Sequence, residues 1–301
     1  MTTKEDTIMS LKVEQLHPLF AGEASGVDLS KPPDQATVDA IDAAMDEYSV
    51  LVFRDQPLTE TEQLNLAKAF GPLDLGLKKI KKGQPQRLEH FELADMSNVA
   101  DEGGLVDRTS KKVVSNIANQ MWHTDSSFQK PAAKYSMLSA VRVPVDGGNT
   151  EYCDLRAAYD ALPDKVKDEI ATLEAEHYAL HSRFMLGDTD YTEEQKAAIP
   201  PATWPLVRVH PGSGRKALFV SSHISEIKGW TLPEGRMLVQ DLLEHATQRE
   251  FVYRHHWREH DIVFWDNRCT LHRGRRFDFS QARELRRATT LDVDAPELKT
   301  A

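Results

Sequence analysis

The stretch Trp122-His123-Thr124-Asp125 offers an imidazole and a carboxylate separated by one residue. On an extended strand, residues i and i+2 face the same way, so both side chains can reach one metal ion. Two imidazoles and one carboxylate on one face of an octahedron leave the opposite positions open. That donor set suits non-haem Fe(II), which must hold a chelating co-substrate and O2 together. The third donor must come from a distant histidine, and His272 is the candidate. It follows Phe264-Trp265-Asp266-Asn267-Arg268-Cys269-Thr270-Leu271, where an apolar strand gives way to a polar turn. Arg283 and Arg287 come next. A guanidinium on a neighbouring strand can pair bidentately with a dicarboxylate that chelates the metal.

H-x-D alone is a weak signal in a chain with 12 histidines. A second pair, His90-Phe91-Glu92, lies in a polar stretch where no strand would align both side chains. His177 and His181 are spaced i, i+4 on a segment that reads as a helix, as in a zinc site. Their sequence, His177-Tyr178-Ala179-Leu180-His181, lacks the glutamate of H-E-x-x-H. A structural role is the preferred reading for them, and a zinc hydrolase is the alternative. His255 and His256 alternate faces on a strand and read as structural.

These side chains need a scaffold. Tyr48 to Arg54 reads as a buried strand. Thr59-Glu60-Thr61-Glu62 matches a capping box, opening a helix that Gly71 ends. Residues 76–116 are polar and poorly periodic, and the expectation is a mobile active-site loop. Lys134 to Val143 reads as a strand before the turn Asp146-Gly147-Gly148-Asn149. Asp154 to Leu180 reads as two helical pieces separated by Pro163. Pro205 to His210 and Lys216 to Ser222 read as strands joined by Pro211-Gly212-Ser213-Gly214. Leu238, Leu242, Leu243 and Ala246 mark an amphipathic helix. Glu250 to Trp257, Asp261 to Trp265 and Leu285 to Val293 complete a strand-rich second half. The predicted fold is mainly β with helices: a cupin-like, jelly-roll double-stranded β-helix core flanked by α-helices, with residues 1–301 as a single domain. No strand runs into a glycine-rich phosphate loop.

The 301-residue chain carries a formal net charge of -10. That balance disfavours nucleic acid and anionic membranes as partners. Basic residues cluster at Lys78 to Lys82 and at His272-Arg273-Gly274-Arg275-Arg276, continued by Arg283, Arg286 and Arg287. A local cationic pocket in an acidic protein suggests small anionic ligands. Cys153 and Cys269 are far apart, with no disulfide framework, which fits a reducing cytoplasm. Met1 to Ser10 shows no apolar signal region, and no apolar run reaches the ~18 residues of a membrane span.

Longer stretches carry a resemblance. They include Trp122-His-Thr-Asp-Ser-Ser-Phe128, Tyr135-Ser-Met-Leu-Ser-Ala140, Asp154-Leu-Arg-Ala-Ala-Tyr-Asp-Ala-Leu-Pro163, Leu186-Gly-Asp-Thr-Asp-Tyr191 and Trp265-Asp-Asn-Arg-Cys269. In these the chain resembles the TauD/TfdA family of Fe(II)- and 2-oxoglutarate-dependent dioxygenases over nearly its whole length. The resemblance implies His123, Asp125 and His272 as iron ligands, with 2-oxoglutarate and O2 as co-substrates. It implies Thr150 and Arg283 at the distal carboxylate of 2-oxoglutarate, and Arg287 and His223 toward the substrate acid. Lys81 sits in the loop bordering the pocket and is expected to assist substrate capture. The implied reaction hydroxylates the ether-adjacent carbon of an aryloxyalkanoic acid such as 2,4-dichlorophenoxyacetate. It yields a phenol, glyoxylate, succinate and CO2. The alternatives are the same chemistry on a sulfonate, sulfate ester or aryloxypropionate, or a non-catalytic barrel that binds ligand. A homo-oligomer is also implied. Two departures stand out: Glu226 replaces a histidine near His223, and Arg258-Glu259-His260-Asp261 lacks the usual glycine.

Overall fold

The computed structural model describes residues 11–81 and 86–295, with the backbone alone at residues 80 and 81. Lys81 therefore lies outside the described side chains.

Strands β1 (Lys12–Gln15) and β2 (Gly22–Ser25) pair antiparallel. Helix α1 (Gln35–Tyr48) starts where the Asp34 carboxylate accepts the Thr37 N–H. It buries Val38, Ile41, Ala44 and Met45, which repeat at the helical period. β3 (Val50–Phe53) is buried throughout. α2 (Glu60–Lys68) carries the expected capping box between Thr59 and Glu62. The segment expected as a loop holds β4 (Ala94–Ser97) and α3 (Lys111–Ile117), so it is not devoid of regular structure. β5 (Ala133–Arg142), β6 (Thr150–Asp154), α4 (Leu155–Asp160) and α5 (Asp164–Ile170) follow.

Here one expectation fails. Residues Glu174–His177 form a strand, β7, and His181 opens a separate helix, α6 (His181–Met185). Pairing with two flanking strands overrides the glutamate-rich local preference. The chain continues through α7 (Glu193–Ala197), β8 (Ala202–Pro205), β9 (Val207–Val209), β10 (Lys216–Leu218) and β11 (Ile224–Ile227). It ends with α8 (Leu232–Ala246), β12 (Val252–His255), β13 (Ile262–Asp266), β14 (Thr270–Gly274) and β15 (Glu284–Leu291).

Seven strands make one sheet in the order β1-β2-β3-β13-β5-β15-β4. Alternation sorts its two faces. Leu51, Phe53, Met137, Ile262 and Phe264 pack with residues of α1 and α2. Val50, Val52, Leu138, Val263, Trp265 and Leu285 point the other way and meet Tyr152 of the second layer. Full burial of each large apolar side chain stabilises the fold by roughly 1.5–3 kcal/mol. The second layer is the sheet β12-β6-β14. Backbone bonds extend it: His123 and His272 exchange N–H···O bonds of 3.1 and 2.8 Å, and Ser222 N–H reaches Trp122 O at 3.0 Å. Tyr178 N–H then donates to His223 O at 2.8 Å, joining β7 and its partners β8 and β11. The outer face of this layer packs Cys153, Leu155 and Leu271 against Leu242 and Ala246 of α8. The two-layer β architecture with flanking helices matches the predicted fold class. Among the described residues, no helix is long and apolar enough to cross a membrane.

A buried polar knot lies beside the C-terminus of α1. His210 Nε2 is 3.0 Å from Asp266 Oδ2, and Arg268 Nη2 donates to the same oxygen at 2.6 Å. Burial alone would lower the His210 pKa, but Cys269 and Asp266 outweigh it and lift it to about 10. A histidine raised in the folded state stabilises fully below its unfolded pKa, and that contribution fades as pH rises through the folded value. Thermal melts are therefore expected to lose stability between pH 6.5 and about 10. His210→Gln should flatten that slope; an unaltered slope would remove His210 as its source.

Candidate metal centre

β14 sets the first ligand. It pairs antiparallel with β6, bringing His272 opposite Tyr152. Alternation sends Leu271 outward to α8 and His272 inward, its ring 4.6 Å from the Trp265 ring. His123 is bridged to His272 across the backbone, so the two rings approach to 4.2 Å. His123 sits in this isolated bridge rather than in the strand that the i, i+2 argument assumed. Asp125 lies in the turn that follows, yet its carboxylate still joins the imidazoles. Asp125 Oδ1 is 4.0 Å from His123 Nε2, and Oδ2 is 3.9 Å from His272 Nε2. One donor atom from each residue fits within 4.8 Å of the others, and all three residues are buried.

The protonation states suit a cation. Burial lowers the pKa of His123 and drives that of His272 well down, so both rings are neutral near pH 7. His123 Nδ1 is 2.8 Å from Met121 O. A carbonyl can only accept, so Nδ1 carries the proton and Nε2 keeps its lone pair toward the site. Burial pushes the Asp125 pKa up, but the Arg287 charge, helped by the Ser136 hydrogen bond, outweighs it, and the net shift is downward. Arg287 Nη1 donates to Asp125 Oδ1 at 2.6 Å, and the Ser136 hydroxyl donates to Oδ2 at 2.7 Å. Two neutral imidazoles and one carboxylate are the forms in which these side chains bind metal.

A cavity of about 380 Å³ opens beside this trio, lined by His123, His272, Thr150, Arg283 and Arg287. Such volumes are typical of small-molecule sites. Among the described residues, Arg283 has no carboxylate within ion-pair distance. Its Nε donates to Gly148 O at 3.1 Å and its Nη1 to Met96 O at 3.4 Å. Burial lowers its pKa to about 10, which leaves it charged near neutrality. Asn98 Oδ1 accepts the Arg283 N–H at 2.8 Å and anchors the turn. Thr150 Oγ1 accepts from Trp257 Nε1 at 3.0 Å, leaving the hydroxyl proton free to donate. A guanidinium without a carboxylate partner, beside a hydroxyl, fits the far carboxylate of a dicarboxylic acid.

Gly147 and Gly148 make this approach possible. Gly148 has φ +66, and a Cβ there would lie 3.0 Å from Arg283 Nε. Gly148→Ala combines backbone strain of about 1 kcal/mol with displacement of the guanidinium. The expected result is a several-fold rise in the half-saturating 2-oxoglutarate concentration, read by titration. An unchanged value would show that the glycine serves the turn alone.

The other predicted residues lie apart from the cavity wall. His223 is buried with its ring 5.8 Å from His123 and 5.4 Å from Phe128, and is not among the cavity-lining residues. Glu226 is tied to Lys228 at 2.7 Å, which offsets its charge. His177 Nδ1 faces Ser127 Oγ at 2.9 Å, and its ring stacks on Phe219, so it forms no zinc pair with His181. His90 Nε2 faces Thr61 Oγ1, and His255 Nε2 faces Asp261 Oδ2. His260 takes φ 68 in the turn that lacks glycine, a conformation glycine adopts more readily. Lys78 binds the carbonyls of Phe91 and Leu93, so that lysine serves the local fold. The sequence reading missed Tyr152, Ser136 and Asn267. Tyr152 was within reach of the same-face rule, since it follows Thr150 by two on β6.

Paired neutral imidazoles, a carboxylate and a cationic cavity between two β-layers define a 2-oxoglutarate-dependent dioxygenase. Residues 12–289 match the family described as taurine catabolism dioxygenase TauD, TfdA family. The chain belongs to that family. It is 58% identical to an alpha-ketoglutarate-dependent 2,4-dichlorophenoxyacetate dioxygenase of Cupriavidus pinatubonensis, covering 94% of this chain and 99% of the relative. It is 36% identical to an (S)-phenoxypropionate/alpha-ketoglutarate-dioxygenase of Sphingobium herbicidovorans, covering 90% and 91% of the two chains. Among solved structures it is similar to AAD-2 in complex with Mn(II) and N-oxalylglycine. The TM-score is 0.90, with 46% identity over 94% of this chain and 98% of that one.

Proposed function

We propose that this enzyme uses Fe(II), 2-oxoglutarate and O2 to hydroxylate the ether-adjacent carbon of an aryloxyalkanoic acid such as 2,4-dichlorophenoxyacetate. The hydroxylated carbon then breaks from the ether oxygen, giving a phenol and glyoxylate, while the co-substrate becomes succinate and CO2. The observation that carries this reading is a neutral-imidazole and carboxylate trio on the same cavity as a guanidinium without a carboxylate partner. Bound iron would supply the activation of O2 and the oxidative decarboxylation. His123, Asp125 and His272 hold the ion. Arg283 and Thr150 hold the distal carboxylate of 2-oxoglutarate and fix its approach. Arg287 on the cavity wall serves the substrate acid; His223, behind His123, and Lys81, outside the described side chains, are assigned to it by the family resemblance. The apolar part of the wall, with Leu138, Val113, Ile117 and Phe279, excludes water around an aryl ring.

The same reading treats the chain as one catalytic domain, with the segment around α3 as a mobile wall over the cavity. It supports this that α3 lines the cavity yet buries none of its own residues. It also places the protein in the cytoplasm, as a homo-oligomer. The deciding experiment is succinate release across phenoxyacetates, phenoxypropionates, cinnamate-like acids and taurine. Aryloxyacetates are expected to give the highest turnover. Turnover with a sulfonate or sulfate ester but no aryloxy acid would overturn the substrate assignment. Succinate release with none of these acids would favour a ligand-binding barrel.

A further inference from the structure

Asn267 lies in the turn between β13 and β14, buried and away from the cavity wall. Its carboxamide orientation follows from its neighbours. Oδ1 accepts the Asp125 backbone N–H at 3.0 Å and the Trp265 indole N–H at 3.0 Å. Nδ2 donates to Ser136 Oγ at 3.0 Å and to Lys134 O at 3.4 Å. Indole N–H only donates and a carbonyl only accepts, so the amide cannot be turned round. The Ser136 hydroxyl has one proton, and the Asp125 carboxylate takes it at 2.7 Å. Asn267 Nδ2 and Thr289 Oγ1, the latter 2.9 Å away, therefore donate to the Ser136 oxygen. Thr124 Oγ1 adds a bond to Asn267 O at 2.7 Å.

We propose that Asn267 is the positioning residue for the metal-ligand carboxylate, holding Asp125 by its backbone directly and by its carboxylate through Ser136. The need arises because Asp125 sits in a turn, not in a strand whose ladder would fix it. Segments 124–125 and 134–136 meet residues 265–267, far along the chain, on this one amide. A buried amide with every partner satisfied has a single low-energy arrangement. It hands that arrangement to the ligand. Hydrogen-bonded partners of metal ligands are worth about 10- to 100-fold in metal affinity.

The inference rests on the metal-centre reading, so its test reads metal binding without substrate. Mn(II) affinity is measured by calorimetry for the wild type, Asn267→Ala, Ser136→Ala and the double variant, each at a temperature where circular dichroism shows it folded. Asn267→Ala is expected to weaken Mn(II) binding about 10- to 100-fold. Ser136→Ala should weaken it less, and the double variant should fall short of the combined effects, because both act on one carboxylate. Thr59→Ala, which only loosens the cap of α2, serves as a destabilised control with unchanged affinity. A folded Asn267→Ala with wild-type affinity, or strict additivity, would overturn the proposal. If Asn267→Ala does not fold, Asn267→Asp keeps the acceptor and loses the Nδ2 donor. Its affinity should lie between those of wild type and Ser136→Ala or below, and a wild-type value again overturns the role. A wild type that binds no Mn(II) would instead overturn the metal centre itself.

Discussion

Asp125→Ala is expected to abolish substrate-dependent succinate formation even with excess Fe(II). Asp125 is the one anionic donor of the trio, so its loss leaves two neutral rings to hold a dication. It also strands Arg287, whose Nη1 lies 2.6 Å from the lost carboxylate. Removing one partner of a buried pair costs about 3–5 kcal/mol, since the remaining charge is left uncompensated. Arg287 keeps some exposure, so the lower part of that range applies. Both effects act together: the metal is lost, and a cation remains where the metal's charge was to sit. The measurements are Mn(II) calorimetry and a succinate assay. Wild-type succinate formation by this variant would remove Asp125 from the metal centre.

Arg283→Ala should act on a different step and with a different stability signature. Hydrogen bonds to charged groups contribute about 1.5–3 kcal/mol. At 1.4 kcal/mol per decade, the half-saturating 2-oxoglutarate concentration should rise roughly 10- to 150-fold. Mn(II) affinity should stay near wild type, because Arg283 donates to Gly148 O and Met96 O and not to the trio. Nor should the fold suffer. Burial lowers the Arg283 pKa to about 10, a sign that the folded chain strains to keep it charged. Its removal relieves that desolvation and orphans no carboxylate but takes the donor from Gly148 O and Met96 O, so the melting temperature should change little. An unchanged dependence on 2-oxoglutarate would take Arg283 out of this role. Asp125→Ala and Arg283→Ala thus separate metal capture from co-substrate capture.

The parts of this architecture that were legible in the sequence share one property: their signal is local. β5 and β13 are largely apolar stretches between turns, and the Thr59 capping box is four consecutive residues. His123 and Asp125 stand two apart. β7 failed because Glu174-Ala175-Glu176-His177 has no strand preference of its own; β8 and β11 confer it by pairing from far along the chain. β14 was not among the strands read from the sequence, because Thr270 to Gly274 is short and carries little apolar alternation, and β6 beside it makes it a strand. Helix α1 was not named in the sequence reading, although Val38, Ile41 and Met45 carry its period. Ser136 and Asn267 were beyond reach. Their partner in the site is 11 residues away for Ser136 and 142 for Asn267, and nothing in local pattern reports a hydrogen bond across strands.

Helix α3 forms part of the cavity wall without burying a residue of its own, held to β4 chiefly by Lys112, whose ammonium reaches Asp95 at 2.8 Å and Val99 O at 2.9 Å. Substitutions outside packed cores usually shift stability by no more than about 0.5 kcal/mol. Val113 and Ile117 can therefore change size and polarity while both β-layers, and the ligands they carry, stay where they are. Selection for a new acid would meet almost no folding penalty on that wall. It would meet a steep one at Trp265, which lines the same cavity but packs with Tyr152 and Val263 in the interior. The enzyme's capacity to acquire new substrates is concentrated in a helix that buries none of its own residues.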